Sequence, residues 1–444
     1  MDKENKPVFH ITAAKGWIND PNGLVKFRGK YHVFYQYHPY SCEWGPMHWG
    51  HVVSEDLLHW QQLPIALTPG DEFDKDGCFS GTSIVVNDRL YIAYTGFIFN
   101  EDPEKIIQHQ CLAYSDDGIN FKKLGLIIGK DKLPKGYASN DFRDTEIFKK
   151  DDVFYILVAA RKLDGRGRIL LYKSIDLLNW EFVSDILDED SKGKMIECPD
   201  YVDSLGLLLY CEQNQPLDGL MHRNIHSTYY RVGELKNNKF ITSSIGTIDY
   251  GFDFYAPQVM PEENILIAWI NMWERNNPST KYGFAGMLTV PRKISVKNGK
   301  LLQNPVVFGE LSEKLELENS YKTHLSVGVV KLEIEDLKDL SIDIRKGKDE
   351  VTKFYLHDNN FVFDRSSSGE TITGSEKDVF SAIGIRKMPY LNEEKDTIYI
   401  ILDKFSVEIF VNGISMSNLI YPKEDSDGLE INVNAKSTIL EIYK

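Results

Sequence analysis

Three segments of this chain share one pattern at a spacing of about 60 residues, and this repeat constrains the fold more than any other feature. Each segment follows a strand-like run, begins with a Ser-x-Asp turn, and ends on an aromatic residue that opens the next strand. The three are SEDLLHW at 54–60, SDDGINF at 115–121 and SIDLLNW at 174–180. Their starts lie 61 and 59 residues apart, and the same step reaches weaker matches near 233 and 290.

Five units of this length would fill residues 1–300, where turn signals are dense and helical patterns are few. Fixed-period β repeats are typical of propellers, whose blades are four-stranded sheets around a central channel. We therefore predict an all-β fold in which residues 1–300 form a five-bladed β-propeller. A single large sandwich is the alternative, but a sandwich would not require the period.

The pattern of the chain changes after residue 300. Residues 301–311 are predicted to be a linker, and 312–444 contain short strands separated by charged turns, such as TIYIILDKFSVEIFVNG at 397–413. Val407, Ile409 and Val411 alternate as expected for a half-buried antiparallel strand. We predict that residues 312–444 form a β-sandwich.

Charge and cysteine content exclude several functions. The chain has 51 Lys and Arg against 66 Asp and Glu, a formal charge of −15 that repels nucleic acid and anionic membranes. No apolar run reaches transmembrane length, and the start lacks the apolar core of a signal peptide. Five cysteines without paired metal-type spacing favour a reducing compartment. We predict a cytoplasmic protein without nucleic-acid or membrane partners; no oligomeric state is indicated.

Three acidic motifs follow the phase of the repeat. Asp20 in GWINDPNG, Ser80, Asp144 in DFRDTEIF, Glu197 in MIECPDY and Tyr255 are separated by 60, 64, 53 and 58 residues. Equivalent positions in successive blades face one axis, so the three carboxylates should meet at one end of the channel. Taken alone, Asn-Asp-Pro-Asn-Gly is a strong turn signal. However, converging carboxylates repel one another, and paired carboxylates are the working groups of glycoside hydrolysis.

The same motifs resemble those of a known family. WINDPNG, FSG at 79–81, FRDT and ECPD are similar to the signature motifs of glycoside hydrolase family 32. The segments at 31–60, 249–258 and 283–292 resemble its bacterial sucrose-6-phosphate hydrolases and related invertases. The resemblance covers nearly the whole chain, in matching order. It implies a five-bladed propeller followed by a β-sandwich, as the repeats predict independently.

The resemblance implies a role for each carboxylate. Asp20 matches the family's nucleophile, Glu197 its general acid/base and Asp144 its transition-state stabiliser. The expected reaction passes through a fructosyl–enzyme ester on a small sugar substrate and requires no cofactor and no metal. The residues expected to line the sugar pocket are Trp17, Asn19, Gln36, Trp44, Phe79, Ser80, Arg143, Tyr255 and Trp273.

One position departs from the family pattern. The usual motif is Arg-Asp-Pro, whereas this chain has Arg143-Asp144-Thr145. Proline would fix φ and remove an N–H donor, and Thr145 leaves both unconstrained. His48 and His51 have a spacing that some metal sites use, but no further ligand cluster accompanies them in the sequence.

Three functions are compatible with these observations. They are hydrolysis of sucrose or sucrose 6-phosphate, the same chemistry on fructans or transfer to a sugar acceptor, and sugar binding without catalysis. Retention of all three carboxylates argues against the last. Basic residues near the expected rim favour a 6-phosphate on the leaving glucose, because Arg grips phosphate through two hydrogen bonds. These basic residues are His222, Arg223, Arg275 and Lys281.

Overall fold

The structure of this chain is a computed structural model that describes residues 5–187, 191–216, 219, 224–306, 309–375 and 382–444. Within these ranges the regular structure consists of 34 β-strands and a few 3-10 turns, without α-helix. The 3-10 turns are Pro103–Lys105, Lys130–Lys132, Asp203–Leu205 and Pro278–Tyr282. In the described part of the chain, no helix is long and apolar enough to cross a membrane.

Five blades of four antiparallel strands form the first part of the molecule. Their first strands contact one another in ring order, from the first blade to the fifth and back to the first, around a shared axis. The predicted five-bladed propeller is therefore confirmed. The blades are β1 (Gly16–Phe27), β2 (Lys30–His38), β3 (His48–Ser54), β4 (Gln61–Gln62); β5 (Gly77–Val86), β6 (Arg89–Ile98), β7 (Ile107–Ser115), β8 (Lys122–Ile128); β9 (Tyr137–Lys150), β10 (Val153–Lys162), β11 (Gly167–Ser174), β12 (Glu181–Asp185); β13 (Met195–Val202), β14 (Leu207–Gln213), β15 (Ser227–Lys236), β16 (Lys239–Thr247); and β17 (Tyr255–Met260), β18 (Ile265–Ile270), β21 (Arg292–Lys297), β22 (Lys300–Pro305).

Two short contacts join neighbouring blades. Between the last and first blades, β19 (Phe284–Ala285) pairs in parallel with β1, while β20 (Met287–Leu288) pairs with β18. Between the second and third blades, Gly81 of β5 pairs in parallel with Thr145 of β9. The ring is thus closed by backbone pairing as well as by packing of the blade faces.

The sequence repeat corresponds to one turn that recurs in the first three blades. In the second blade, the Ser115 hydroxyl donates to the Asp117 carboxylate at 2.8 Å, which accepts the N–H groups of Ile119 and Asn120 at 2.8 Å. These local bonds satisfy the turn backbone in a way that Ser and Asp favour. The same bonds are made by Ser54 with Asp56, and by Ser174 with Asp176.

The last two blades keep the period but use another turn. Their outer hairpins turn through two residues with positive φ, Asn237–Asn238 and Asn298–Gly299. The third strands of the five blades end at 54, 115, 174, 236 and 297, so the spacings are 61, 59, 62 and 61 residues. The weak sequence matches near 233 and 290 are explained by this change of turn type, because a two-residue hairpin favours Asn and Gly.

Two six-stranded antiparallel sheets form the second part, which confirms the predicted sandwich. The core between them is aliphatic and aromatic, with Val330, Ile342, Phe354, Ile400 and Ile431 buried. The last propeller strand, β22, occupies residues predicted to be linker, and 307–308 lie outside the described residues. The strands are, in sheet order, β23 (Leu311–Glu316), β34 (Ser437–Tyr443), β25 (Gly328–Glu335), β30 (Lys395–Asp403), β31 (Ser406–Val411), β32 (Ile414–Leu419); and β24 (Ser320–His324), β33 (Gly428–Asn434), β26 (Asp339–Lys346), β27 (Val351–His357), β28 (Asn360–Ser367), β29 (Ile385–Pro389).

Buried ion pairs join the propeller to the sandwich. The Arg292 guanidinium donates to Asp249 at 3.3 Å and also to Glu408 of the sandwich, and all three side chains are fully buried. His10, ahead of the first blade, lies 2.8 Å from both Asp403 and Glu408. The two parts of the chain therefore share a polar junction with paired charges.

Candidate active site

The first strand of every blade is irregular at the same level. The pairing register shifts after Ile18, Phe79, Arg143, Glu197 and Tyr255, as a β-bulge requires. A bulge turns the side chains beside it away from the regular alternation of the strand. Because the five strands surround one axis, the bulges bring side chains from all five blades to one end of the channel, as the 60-residue phase predicts.

Asp20 lies in the first of these bulges. Its carboxylate accepts hydrogen bonds from the Ser80 hydroxyl at 2.5 Å and from the Asn19 amide at 3.0 Å. Asn19 is oriented in turn by the Trp17 indole N–H, at 2.9 Å from its side-chain oxygen. Burial raises the pKa of Asp20, the bonds from Ser80 and Asn19 lower it, and the negative charge of Glu197 raises it further. The result is an oriented carboxyl with a pKa above its ordinary value.

Glu197 is held by two residues from other blades. The Arg143 guanidinium donates to its Oε1 through Nε at 3.0 Å and Nη2 at 2.7 Å. The Tyr255 hydroxyl donates to its Oε2 at 2.6 Å. Arg143 also donates to Asp141 at 2.7 Å, while its nearest approach to Asp144 is 3.9 Å. The arginine thus clamps Glu197 of the next blade more closely than its sequence neighbour Asp144.

Asp144 has a left-handed backbone with φ of +61°. Its Oδ2 accepts the Cys198 N–H at 3.1 Å, and the Cys198 sulfur lies 3.7 Å from the same oxygen and 3.5 Å from Asp20. Burial raises the pKa of Asp144 to about 8; Arg143 opposes this rise, and the charges of Glu197 and Asp20 add to it. Since Arg143 also serves Asp141, cationic charge is scarce, and the carboxyl cluster retains a proton at neutral pH.

The three carboxyls line a cavity of about 510 Å³ at the end of the channel. Ten of the twelve residues predicted for the site line it. Phe79 stacks on Phe97 with a centroid distance of 4.4 Å, and Trp44, 48 % exposed, meets Phe79 edge-on. The ten are Asn19, Asp20, Gln36, Trp44, Phe79, Ser80, Arg143, Asp144, Glu197 and Trp273.

A second cavity of about 540 Å³ adjoins the first and shares Trp44 and Trp273 with it. Trp17 lines this second cavity and stacks on Trp273 at 5.7 Å. Its outer wall includes Lys281 of the propeller and Glu370 of the sandwich, 2.6 Å apart. The two cavities give room for a group bonded to whatever occupies the carboxyl-lined one.

Comparison with known proteins agrees with this arrangement. The family model "Glycosyl hydrolases family 32 N-terminal domain" matches residues 10–305, and "Glycosyl hydrolases family 32 C terminal" matches residues 299–443. The chain belongs to glycosyl hydrolase family 32. The enzyme is thus a glycoside hydrolase, and the family's reaction retains the configuration of the sugar.

Individual relatives of this family 32 chain are similar over nearly their full lengths. A sucrose-6-phosphate hydrolase of Zymomonas mobilis is 37 % identical, with 96 % of this chain and 89 % of that protein covered. A raffinose invertase of Escherichia coli is 36 % identical, with 96 % and 91 % covered. The solved β-fructofuranosidase of Bombyx mori is 30 % identical at a TM-score of 0.84, with 100 % of this chain and 94 % of that chain covered.

Two predicted site residues lie outside the carboxyl-lined cavity of this family 32 enzyme. Tyr255 is only 1 % exposed and lies behind the wall, where it reaches the cavity through Glu197. Trp17 belongs to the adjoining cavity and acts on the first one through Asn19. Both are therefore placed to orient other side chains.

Four residues that line the cavity were not predicted: Phe97, Gln108, Asp141 and Gln213. Asp141 could have been found, because it precedes Arg143 by two residues on β9 and alternate residues of a strand share a face. Gln108 and Gln213 lie on the third and second strands of their blades, and no sequence motif marks them.

Of the four basic residues expected to hold a phosphate, Arg275 and Lys281 line the adjoining cavity. Arg275 lies near the rim as expected, and its buried guanidinium donates to Asp253 at 2.6 Å. Its binding of phosphate stays a prediction. Lys281 does line the adjoining cavity, paired with Glu370. His222 and Arg223 lie outside the described residues.

Among the described residues, no group of three or more His, Cys, Asp or Glu side chains has an arrangement that could hold a metal ion. His48 and His51 have other partners. His48 Nδ1 lies 3.0 Å from the carbonyl of Pro46, and His51 Nε2 lies 3.0 Å from His32. Their close spacing in the sequence therefore reflects packing within the first blade.

Proposed function

We propose that this family 32 enzyme hydrolyses sucrose and sucrose 6-phosphate as a retaining β-fructofuranosidase. The observation that carries the proposal is the meeting of Asp20, Asp144 and Glu197 around one cavity, with a second cavity beside it. A fructosyl ring would occupy the carboxyl-lined cavity, and the leaving sugar would extend into the adjoining one. Relatives named sucrose-6-phosphate hydrolase and raffinose invertase support this choice of substrate.

In the proposed mechanism, Asp20 attacks the anomeric carbon while Glu197 donates its proton to the glycosidic oxygen. The C–O bond to the leaving sugar breaks as the ester bond to Asp20 forms. Glu197, now ionised, takes a proton from water, and the resulting hydroxide oxygen displaces Asp20. Two inversions give net retention. Asp144 would hold fructose hydroxyls through both steps.

Other contacts support these roles. Ser80 and Asn19 hold the Asp20 carboxylate in one orientation, which lowers the cost of reaching the attack geometry. Arg143 and Tyr255 fix Glu197 from two sides. The raised pKa of Asp144 keeps a proton within the cluster, available for Glu197 when a substrate excludes water.

Short fructo-oligosaccharides are a second class of substrate, favoured by the size of the adjoining cavity, about 540 Å³. It could accept further sugar units, or a sugar acceptor in place of water. Location in the cytoplasm is also part of the proposal, because all five cysteines are free, as in a reducing compartment.

Two measurements on the purified enzyme test the proposal. Initial rates on sucrose, sucrose 6-phosphate, a kestose-type trisaccharide and inulin should be highest for one of the two disaccharides. Time-resolved NMR should detect β-fructofuranose as the first product. Inverted fructose as the first product, or no turnover of any fructoside, would reject it.

A further inference from the structure

We infer that Thr95, Gln110 and Thr145 form a bracket that positions Asp144, with the Thr145 hydroxyl in place of the motif's usual proline. The inference rests on the proposed function, because it assigns these residues to the geometry of Asp144. None of the three touches the substrate cavity, so each is a positioning residue.

The bracket consists of buried hydrogen bonds from the second blade to the third. The Thr95 hydroxyl accepts the Asp144 N–H at 3.0 Å and donates to the Gln110 side-chain oxygen at 2.9 Å. The Thr145 hydroxyl donates to the same Gln110 oxygen. The Gln110 amide donates to the Phe142 carbonyl at 2.9 Å. Gln110 thus holds the chain on both sides of Asp144.

This region needs such support because of its backbone. A non-glycine residue at φ of +61° is unfavourable by itself and persists only when its surroundings hold it. The register of β9 also slips at this point, between Arg143 and Thr145. Proline would restrict the chain through its ring, whereas a threonine can do so only through its hydroxyl.

Burial makes the hydrogen bonds of the bracket hard to replace. Thr95 and Gln110 are completely buried and Thr145 is 1 % exposed, so water cannot replace a lost bond. Thr145 also occupies the single point where the first strands of blades two and three pair. The carboxylate of Asp144 is therefore fixed relative to Ser80 of the second blade and Asp20 of the first.

The test compares Thr145→Val, which removes the hydroxyl at constant shape, with Thr145→Ser, which retains it. Thr352→Val is the control, because Thr352 is equally buried but bonds Ser368 in the sandwich. Sucrose turnover and thermal unfolding are measured for each. A misplaced catalytic group costs up to about 100-fold, so we expect kcat/KM of Thr145→Val to fall about 10- to 100-fold, mainly in kcat.

We expect Thr145→Ser to stay within about threefold of wild type, and Thr352→Val to lose stability similar to Thr145→Val without loss of kcat. Normal kcat in folded Thr145→Val, or Thr145→Ser as slow as Thr145→Val, would overturn the inference. If Thr145→Val does not fold, Gln110→Met removes the acceptor of the same hydrogen bond. A fall in its kcat would support the inference, and a normal kcat would overturn it. A wild-type enzyme without turnover of fructosides would instead refute the proposed function.

Discussion

Two regions of this molecule bury carboxylates, and the pKa values of these carboxylates shift in opposite directions. At the channel end, burial raises the pKa values of Asp20 and Asp144, and one arginine serves the cluster. At the junction of propeller and sandwich, burial would raise the pKa of Asp253, but Arg365 and Arg275 hold it below its ordinary value.

Asp403 and Glu408 at the junction follow the same rule. Burial would raise their pKa values, but His10 lowers that of Asp403, and Arg292 and His10 lower that of Glu408. The difference between the regions is the supply of cations. A shortage of cations leaves protons available for chemistry, whereas matched cations make the junction a source of stability. We expect substitutions in the two regions to separate activity from stability.

The largest expected effect is on catalysis. Asp20→Asn and Glu197→Gln should each lower kcat on sucrose by about three orders of magnitude or more, because each removes a group that makes or breaks a bond. The melting temperature of Asp20→Asn should stay near or above that of wild type, since a repulsive charge is removed. Asp253→Asn, the matched junction variant, should instead lose stability and keep its kcat. Near-normal kcat in either channel variant would refute the assigned roles.

The next effect is on stability. Arg292→Met should lower the free energy of unfolding by about 3–5 kcal/mol, because it leaves Asp249 and Glu408 buried without their cation. Chemical denaturation measures this loss. Lys26→Met, which breaks an exposed pair with Glu263, is the control and should leave the midpoint nearly unchanged. Equal losses in the two variants would show that the junction pairs contribute no more than surface pairs.

pH should affect the two regions differently. Burial lowers the pKa of His10, but hydrogen bonds to Asp403 and Glu408 outweigh it and raise the pKa to about 9. Its contribution, roughly 3 kcal/mol, is fully present below pH 6.5 and is lost as the pH rises through 9. Unfolding at pH 7 and 9.5 should show this loss in wild type. In His10→Gln the loss should be absent; if it persists, another group is responsible.

The activity should also fall at alkaline pH, while the enzyme is still folded. Since the pKa of Asp144 is raised to about 8, the cluster loses its retained proton near that pH. We expect kcat/KM to fall as the pH rises above about 8, before the protein unfolds. A profile of kcat/KM from pH 5 to 9, with circular dichroism at each pH, checks the order. A basic limb that coincides with unfolding would contradict it.

The smallest expected effect is on substrate preference, and it concerns the outer wall of the adjoining cavity. Glu370→Gln frees Lys281 at the adjoining cavity, so kcat/KM for sucrose 6-phosphate should rise about two- to fivefold relative to sucrose. The increase should vanish at high salt, because both side chains are half exposed. Glu263→Gln, remote from the cavity, is the control. An unchanged ratio would exclude Lys281 from phosphate binding.

The sequence by itself determined the periodic features. The spacing of Ser54, Ser115 and Ser174 predicts the blades, and the phase of Asp20, Asp144 and Glu197 predicts their meeting. Both are readable because each blade repeats one short-range pattern of strands and turns. Even where the turn sequence changes, in the last two blades, the third strands end 62 and 61 residues after those of the preceding blades.

Only the tertiary structure decided which side chains pair. Arg143 adjoins Asp144 in sequence but clamps Glu197 from the next blade, because the bulge at 144 turns the neighbouring side chains apart. Arg275 lines the adjoining cavity, but its guanidinium pairs with the buried Asp253, a partner that the sequence does not indicate. Such partners come from separate strands, and their distance depends on how blades and domains pack. That packing is a sum of many weak contacts, which no local pattern in the sequence records.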